Sequence, residues 1–273
     1  MKHTKKLIPA IGMLLLSACM LVTSTFAWFA MNETVTATGM SVTAKGDQVY
    51  LQIINPSQDG DADTAGHDNA FVPGKLQNTS VANVSGAKLL PTNVYKTFNA
   101  TDPVDYDGGK DFCWVKATGT AVDDYRPSGN YTDVTATADG VHYLKNTFKI
   151  RLDPTAGAAN SSAPLKVKAV TLTGDTADVF EDCLCVLVVC TYNNGTDGAT
   201  DVVKGDLWSY VDGTFKHTNG TSETLTDGNM LKDTQATVDI YVFFNGDNEN
   251  CDLETLAEAN NSNYSVAVDF TVV

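Results

Sequence analysis

The strongest constraint on the fold of this chain is a period-two alternation of apolar and polar residues. In residues 146–152, for instance, Phe148, Ile150 and Leu152 share one face of an extended chain. Alternation of this kind is typical of β-strands that bury one face. The clearest alternating segments are 34–44, 48–54, 146–152, 165–173, 236–244 and 263–273. Since turn-forming Asn, Asp, Gly and Pro separate these segments, the sequence predicts an all-β, jelly-roll-like sandwich.

Four features refine this prediction. Residues 180–192 are apolar on both faces, which indicates a strand at the centre of a sheet that is covered on both sides. Residues 165–173 change phase at Ala169, which predicts a β-bulge or burial of both faces. Residues 251–261 predict one short helix near the C-terminus, because apolar residues recur there at helical spacing and acids fill the first turn. Trp114 is expected to be a core aromatic residue and not a sugar-binding platform.

The first 30 residues predict export. Three lysines precede a long uncharged apolar run that ends in small residues, which is the pattern of a signal peptide. Thr25 and Ala27 are the small residues before a cut between Ala27 and Trp28. The sequence therefore predicts a signal peptide at 1–27 and a secreted protein. Two alternatives compete with it: an uncleaved membrane anchor, and a lipoprotein that is cut before Cys19.

The negative net charge of the chain argues against nucleic acid and anionic lipid as partners. The whole chain has a formal net charge of −15, with 33 acidic residues against 18 Lys and Arg, and the signal peptide holds three of the lysines. Such a chain is repelled by nucleic acid and by anionic lipid. We therefore expect no nucleic-acid partner, and contact with the membrane only through the uncleaved precursor. Residues 28–273 are sufficient for a single sandwich domain, in which 55–145 forms an elaborated, loop-rich region.

The sequence contains little that points to catalysis. The three histidines after the signal peptide are isolated, and no motif of a hydrolase or a nucleotide-binding enzyme occurs. The five cysteines after the signal peptide are an odd number, so they cannot all pair, and three of them lie in the apolar run 183–190. Thiols in such a run are typical of a core and not of a zinc site. We therefore predict a protein that is not an enzyme.

Two acidic segments resemble the start of a calcium loop, because carboxylates alternate along them. They supply the candidate metal ligands Asp59, Asp61, Asp63, Asp247 and Glu249. The first segment lacks the glycine and the glutamate that a complete loop has at its sixth and twelfth positions. The alternatives are a solvated loop for the first segment, and a turn before the predicted helix for the second. We therefore predict no cofactor, and keep calcium as the alternative at these carboxylates.

The stretch TFAWFAMNETVTATGMSVTAKGDQVYLQI, residues 25–53, resembles the start of the TasA and camelysin family of exported proteins of Gram-positive-type cells. The matching features are Thr25, Phe26 and Ala27 at the cut, an aromatic pair after it, and a first strand of Thr and small residues. IYVFFNGDNENC, residues 240–251, is similar to a feature that recurs in related exported proteins. The resemblance implies a jelly-roll sandwich, cleavage by a SipW-type signal peptidase, and a fibre subunit of a biofilm matrix or cell-surface coat.

In fibre-forming members of that family, the N-terminal segment of one subunit adds as a strand to the next, which gives a homopolymer. The matching segment of this chain, 34–44, is rich in Thr and Val and contains no charged residue and no proline, so it is suited to strand addition. The residues predicted for this donor strand are Thr34, Val35, Thr36, Ala37, Thr38, Met40 and Val42. The alternative is that they form the first strand of their own sandwich.

Two other functions compete with the fibre subunit. One is a monomeric cell-surface module that binds carbohydrate or a host surface, and the other is a hydrolase such as a camelysin-like protease. Camelysin-type members are classed as metalloproteases. This chain has no histidine pair that could hold the metal, so that activity is not carried over to it.

Overall fold

The computed structural model confirms an all-β, sandwich-like fold in the residues that it describes. Those residues are 41–46, 51–54, 77–81, 89–99, 104–117, 131–137, 139–152, 163–174, 183–193, 201–218, 220–231, 234–248, 251 and 264–272. They form fourteen strands in three sheets, and the helical structure among them is a single 3₁₀ turn at Thr135–Thr137. No helix in these ranges is long and apolar enough to span a membrane.

The strands are numbered in chain order. The first seven are β1 Ser41–Gly46, β2 Leu51–Ile54, β3 Gln77–Val81, β4 Asn93–Thr97, β5 Val104–Asp105, β6 Cys113–Ala117 and β7 Tyr131–Asp133. The last seven are β8 Tyr143–Leu152, β9 Lys166–Gly174, β10 Leu184–Tyr192, β11 Val202–Val211, β12 Thr214–His217, β13 Gln235–Phe244 and β14 Tyr264–Thr271. Strands β1, β2, β8, β9, β10, β13 and β14 overlap the segments that the sequence predicts as strands.

A six-stranded antiparallel sheet in the order β12–β11–β10–β13–β8–β2 forms the middle layer and is called the central sheet. β10 pairs with β11 on one side and with β13 on the other. All residues of β10 except Thr191 are buried. The prediction of a central strand within 180–192 is therefore confirmed. Both faces of β10 are apolar because another sheet packs on each side of it.

One face of the central sheet packs against a four-stranded sheet in the order β3–β1–β14–β9. The residues between these two layers, chiefly the even-numbered ones of β8, β10, β13 and β14, form the sandwich core. The sequence predicts that five residues in and just after β14 share one face. All five belong to the sandwich core: Tyr264, Val266, Val268, Phe270 and Val272. That prediction is confirmed, and it shows that period two is kept along the whole strand.

The opposite face of the central sheet packs against a third sheet, in the order β5–β4–β6–β7. The residues between these layers form a smaller outer core: Val94, Tyr106, Trp114, Val134, Tyr143, Cys185, Leu187, Val189, Tyr241 and Phe243. Trp114 is 1% exposed, which confirms that it is a core aromatic residue. All four strands of the third sheet lie within 55–145, the segment that the sequence predicts as an elaborated, loop-rich region of the one domain.

The bulge predicted in 165–173 is present. β9 and β14 run antiparallel with Asp269 opposite Ala169 and Phe270 opposite Val167, so Lys168 is the extra residue of β9. Three other predictions lie outside the described residues. These are the signal peptide at 1–27, the cut between Ala27 and Trp28, and the helix at 251–261 except for Cys251.

Candidate functional site

The candidate donor segment enters the described structure as β1, which lies inside its sheet and not at an edge. β1 pairs parallel with β14 and antiparallel with β3, so Val42 lies opposite Val266 on one side and Ser80 on the other. The pairing with β14 is the one parallel pairing among the named strands of the described ranges. Val42 is the one predicted donor residue in β1, and the other six, Thr34 to Met40, lie outside the described residues.

β1 fills a slot between two strands that are remote from it in the sequence. The chain continues from β1 through residues 47–50 into β2, which lies in a different layer, at the edge of the central sheet beside β8. Pairing of β1 within its own chain is the arrangement expected if this segment forms the first strand of its own sandwich. It also defines the slot, between β14 and β3, that a strand from another subunit would have to fill.

Asp247, one of the candidate calcium ligands, connects the end of β13 to the third sheet. Its Oδ2 accepts a hydrogen bond from the Asn93 side-chain amide at 2.6 Å and another from the Tyr95 hydroxyl, and both donors lie on β4. The Asp247 N–H donates to Asn245 Oδ1 at 2.9 Å, which closes the turn. The carboxylate therefore acts as an acceptor that links two layers.

Calcium ligation at Asp247 stays a prediction, because the neighbouring candidate Glu249 lies outside the described residues. No group of three His, Cys, Asp or Glu side chains that could hold a metal occurs in the described part of the chain. The other four candidate ligands, Asp59, Asp61, Asp63 and Glu249, lie outside that part. Asp247 is therefore assigned a structural role by its two hydrogen-bond donors.

A second polar cluster lies at the edge of the central sheet, on β11 and β12. Asp206 is 1% exposed, and its Oδ1 lies 3.0 Å from Nε2 of His217 on the neighbouring strand. The His217 ring stands edge-on to Trp208, with ring centroids 5.9 Å apart. Burial raises the pKa of Asp206 to about 6, against the opposing effects of Trp208 and His217, and Glu223 adds to the increase. A buried acid beside an imidazole is therefore present.

This cluster does not have the geometry of a catalytic triad. Thr221 Oγ1 lies 3.2 Å from the same imidazole nitrogen that faces Asp206, whereas a triad places its acid and its nucleophile on opposite ring nitrogens. The Thr221 hydroxyl also donates to the Thr218 carbonyl at 2.9 Å and accepts from the Leu207 N–H at 3.2 Å. Thr221 therefore ties the loop after β12, residues 218–231, to β11.

A close backbone junction lies directly beside Asp206. The Gly205 N–H donates to the Gly108 carbonyl at 2.8 Å, and the Ser222 N–H donates to the Gly205 carbonyl at 3.1 Å. Tyr106 covers Gly205 so closely that a Cβ there would lie 1.9 Å from the tyrosine hydroxyl. The junction therefore brings the third sheet, β11 and the loop after β12 together at one point.

Four of the five described thiols belong to the two cores. These four are buried and the fifth is half-buried, and all five are free: Cys113, Cys183, Cys185, Cys190 and Cys251. Burial raises the pKa of Cys185 and of Cys190 to about 12, so both stay protonated at neutral pH. The prediction that the thiols of the run 183–190 belong to the core is confirmed.

Sequence reasoning missed the pair Asp206 and His217. The two residues meet because β11 and β12 form a hairpin that places Trp208 opposite His217. A signal was available, since Asp206 precedes Trp208 and Tyr210 at period two and therefore shares their inward face. An acid at an inward position needs a partner, and the next hairpin strand is the nearest source of one.

The described residues therefore contain a strand with an unusual pairing, a structural carboxylate at the third sheet, and a buried acid–imidazole pair. In none of these clusters does a nucleophile lie in line with a base. Comparison with known proteins adds no identity, because no protein-family model, curated protein or solved structure matches this chain.

Proposed function

We propose that this protein is a secreted structural subunit that assembles into extracellular fibres by passing its N-terminal strand to the next subunit. The observation that carries the proposal is the position of β1. It pairs parallel with β14 and antiparallel with β3, and it continues into β2 through residues 47–50 alone. A strand held in this way can be supplied by a second chain in the same register, without any other change of topology.

The energetic cost of such an exchange is limited. Each contact of β1 is replaced by an identical contact from the neighbour, so the cost is limited to reopening the link 47–50. Without β1, β14 presents a row of unpaired backbone groups, and β3 loses the one strand that it pairs with in the described residues. The segment 34–44, which includes the first four residues of β1, contains no charged residue and no proline, as suits a strand that pairs between chains. Head-to-tail exchange that does not close on itself produces a filament.

The proposal includes export, with removal of residues 1–27 by a SipW-type signal peptidase. The partner is a second copy of this chain, and the location is the cell surface or the biofilm matrix. Neither enzymatic activity nor a cofactor is part of the proposal. Removal of 1–27 takes three lysines and no acid from a chain of net charge −15, so the proposed subunit is still more acidic and is repelled by nucleic acid and anionic lipid.

A monomeric binding module for carbohydrate or a host surface is the second candidate. The observation that favours it is that β1 is paired within its own chain along all six of its residues. In that case the strand never leaves the domain, and the sandwich is complete by itself. The two candidates therefore differ in one measurable property, which is whether β1 changes chains.

Disulfide trapping measures that property. Ser41 of β1 lies opposite Ser265 of β14, so Ser41→Cys in one chain and Ser265→Cys in a second chain can bond only after exchange. Cys113 is replaced by Ser in both chains, because it is the described thiol that is not fully buried. The two chains, starting at Trp28 and carrying different mass labels, are mixed, incubated for assembly and oxidised.

Fibres in electron micrographs, together with a disulfide between the two labelled chains, support exchange. The matched control combines Ser41→Cys with Thr271→Cys, which lies about 20 Å further along β14 at the usual rise per residue and must not bond. The proposal is overturned if only particles are seen and a disulfide forms solely when Ser41→Cys and Ser265→Cys are in the same chain. The binding module is then the better candidate.

A further inference from the structure

The pair formed by Asp206 and His217 joins three parts of the molecule and lies on β11 and β12, apart from the strands of the proposed exchange. The carboxylate lies on β11 and the imidazole on β12. Thr221 attaches the loop after β12 to both strands, through the Leu207 N–H of β11 and the His217 ring of β12. The neighbouring Gly205 accepts from that loop and donates to Gly108 next to the third sheet. Because Asp206 is 1% exposed, water screens the charge of the pair poorly, and the whole junction experiences that charge.

We propose that the Asp206 carboxyl is an acid-tightened latch, in which uptake of one proton by this carboxyl holds the loop after β12 and the third sheet more firmly on β11. In alkaline solution the carboxylate is negative, so the closed junction contains a buried charge that water screens poorly. One proton taken from water makes the carboxyl neutral. Opening the junction is therefore easier before the proton binds, because opening lets water solvate the carboxylate.

Three other charged or titratable groups lie around Asp206. Glu223, in the loop after β12, adds negative charge near Asp206 and raises its pKa further. Tyr106 packs on the neighbouring Gly205, and burial raises the pKa of its phenol, so it supplies no positive charge. Lys204 lies on the same strand and is paired with Asp227 at 2.5 Å.

The size of the effect follows from the two states of the carboxyl group. In the closed junction its pKa is about 6, and in the open junction it returns towards 3.8. Proton uptake is then linked to closing, and the equilibrium constant for opening should be about tenfold smaller at about pH 5 than at about pH 8.

Hydrogen exchange on the mature chain tests the latch. The amides of Gly205, Leu207 and Ser222 all donate across the junction, so their protection reports its opening. We expect their opening constants, corrected for the intrinsic effect of pH on exchange, to show the tenfold difference. Asp206→Asn should remove it, since a neutral amide does not titrate. The readout is the same in monomers and in fibres, so it does not depend on strand exchange.

Asp212→Asn is the matched control, because it removes a carboxylate from the turn between β11 and β12 whose side chain is 83% exposed. This variant should keep the tenfold difference. Equal corrected opening constants of the unaltered chain at the two pH values would overturn the latch, and so would an Asp206→Asn chain that keeps the difference. If Asp206→Asn does not fold, the ratio measured on the unaltered chain decides alone.

Discussion

The two faces of the central sheet are held by different kinds of packing. On one face, alternate residues along the full length of β8, β10 and β13 meet the opposite sheet in a large and mainly aliphatic sandwich core. On the other face, the outer core is small and aromatic, and the Trp114 ring contacts four others. Those rings are Phe112, Tyr143, Tyr241 and Phe243. The first face is stabilised by many similar contacts, and the second by a few contacts that depend on geometry.

This difference explains how one domain could exchange a strand and still keep its shape. The sandwich core is spread over many residues, so no single strand contains most of its buried surface. The third sheet, in contrast, is attached through the Trp114 cluster, the junction at Gly205 and the carboxylate of Asp247. We therefore expect single substitutions to detach the third sheet more readily than they open the sandwich.

The largest effect is expected for Trp114→Ala. The ring is 1% exposed at the centre of the outer core, and truncation of such a residue costs about 3–5 kcal/mol of unfolding free energy. Because the lost contacts lie on one face of the central sheet, hydrogen exchange should increase in β4, β6 and β7 and stay slow in β14. Exchange measured by mass spectrometry, with urea unfolding for the free energy, checks both expectations.

Phe270→Ala is the matched variant in the sandwich core, where the ring is fully buried. It should cost about as much as Trp114→Ala by the same cavity argument. Exchange should then increase in β14 and its neighbour β9, and not in the third sheet. If either variant loosens both faces equally, the domain is one cooperative unit and the contrast between its two cores is wrong.

The next effect is expected for Gly205→Ala. The added Cβ would lie 1.9 Å from the buried Tyr106 hydroxyl, so the tyrosine must move and the junction must loosen, at about 1–3 kcal/mol. Gly109→Ala is the control, since its Cβ would meet only Oδ1 of the exposed Asp107, at 3.1 Å, and it should change stability by less than about 0.5 kcal/mol. Thermal unfolding of both variants checks the prediction.

Tyr106→Phe sharpens the same test. Removing the hydroxyl deletes the atom nearest the new Cβ, so part of the loss in Gly205→Ala should be recovered in the double variant. Tyr106→Phe alone should cost about 1 kcal/mol, because the hydroxyl donates to the Gly109 carbonyl. Strictly additive losses would show that the overlap at Gly205 is not the cause.

A smaller effect is expected for Asp247→Ala. It leaves the Asn93 amide and the Tyr95 hydroxyl without their acceptor in a half-buried site, which costs about 1–2 kcal/mol. If the role of Asp247 is structural, calcium at millimolar concentration should shift the melting temperature of the unaltered chain and of the variant by the same amount. A calcium-dependent gain that the variant lacks would restore Asp247 as a metal ligand.

Local periodicity is sufficient to predict the strands of the sandwich core and insufficient for the outer layer. β10 has nine residues and β14 has eight, and apolar positions recur along both without interruption. β5 and β7 have two and three residues, and alternation cannot be recognised over so short a length. β11 is missed for another reason, because Gly205 and the buried Asp206 interrupt its apolar pattern.

The candidate sites are harder to predict, because pairing between remote strands has no local signal. The composition of 34–44 predicts a strand, but the parallel pairing of β1 with β14 depends on which edge is free once the rest has folded. Asp247 looks like a metal ligand in a run of acids. Its role is decided by Asn93 and Tyr95, which are far away in the sequence and reach it only in the folded chain.

The smallest effect is a pH dependence at the third sheet that is opposite in sign to that of the latch. His142 is buried at the start of β8, with Nδ1 3.3 Å from the Leu90 carbonyl. Burial lowers the pKa of His142 and Lys116 lowers it further, against the opposing backbone contacts at Leu90 and Pro91. The folded chain thus binds this proton less readily than the unfolded chain does. His142 contributes stability above its ordinary pKa of 6.5, and this is lost as the pH falls.

The two pH effects can be separated by substitution. In an Asp206→Asn background the latch does not titrate, so urea unfolding between about pH 8 and about pH 5 should show the loss of stability due to His142. Adding His142→Gln should flatten that dependence, since an amide keeps a polar partner for the Leu90 carbonyl but takes up no proton. Hydrogen exchange should place the change at the third sheet, where residues 89–99 pack. An equally steep dependence in the double variant would mean that another group titrates there, and that burial of His142 is not what makes the outer face sensitive to acid.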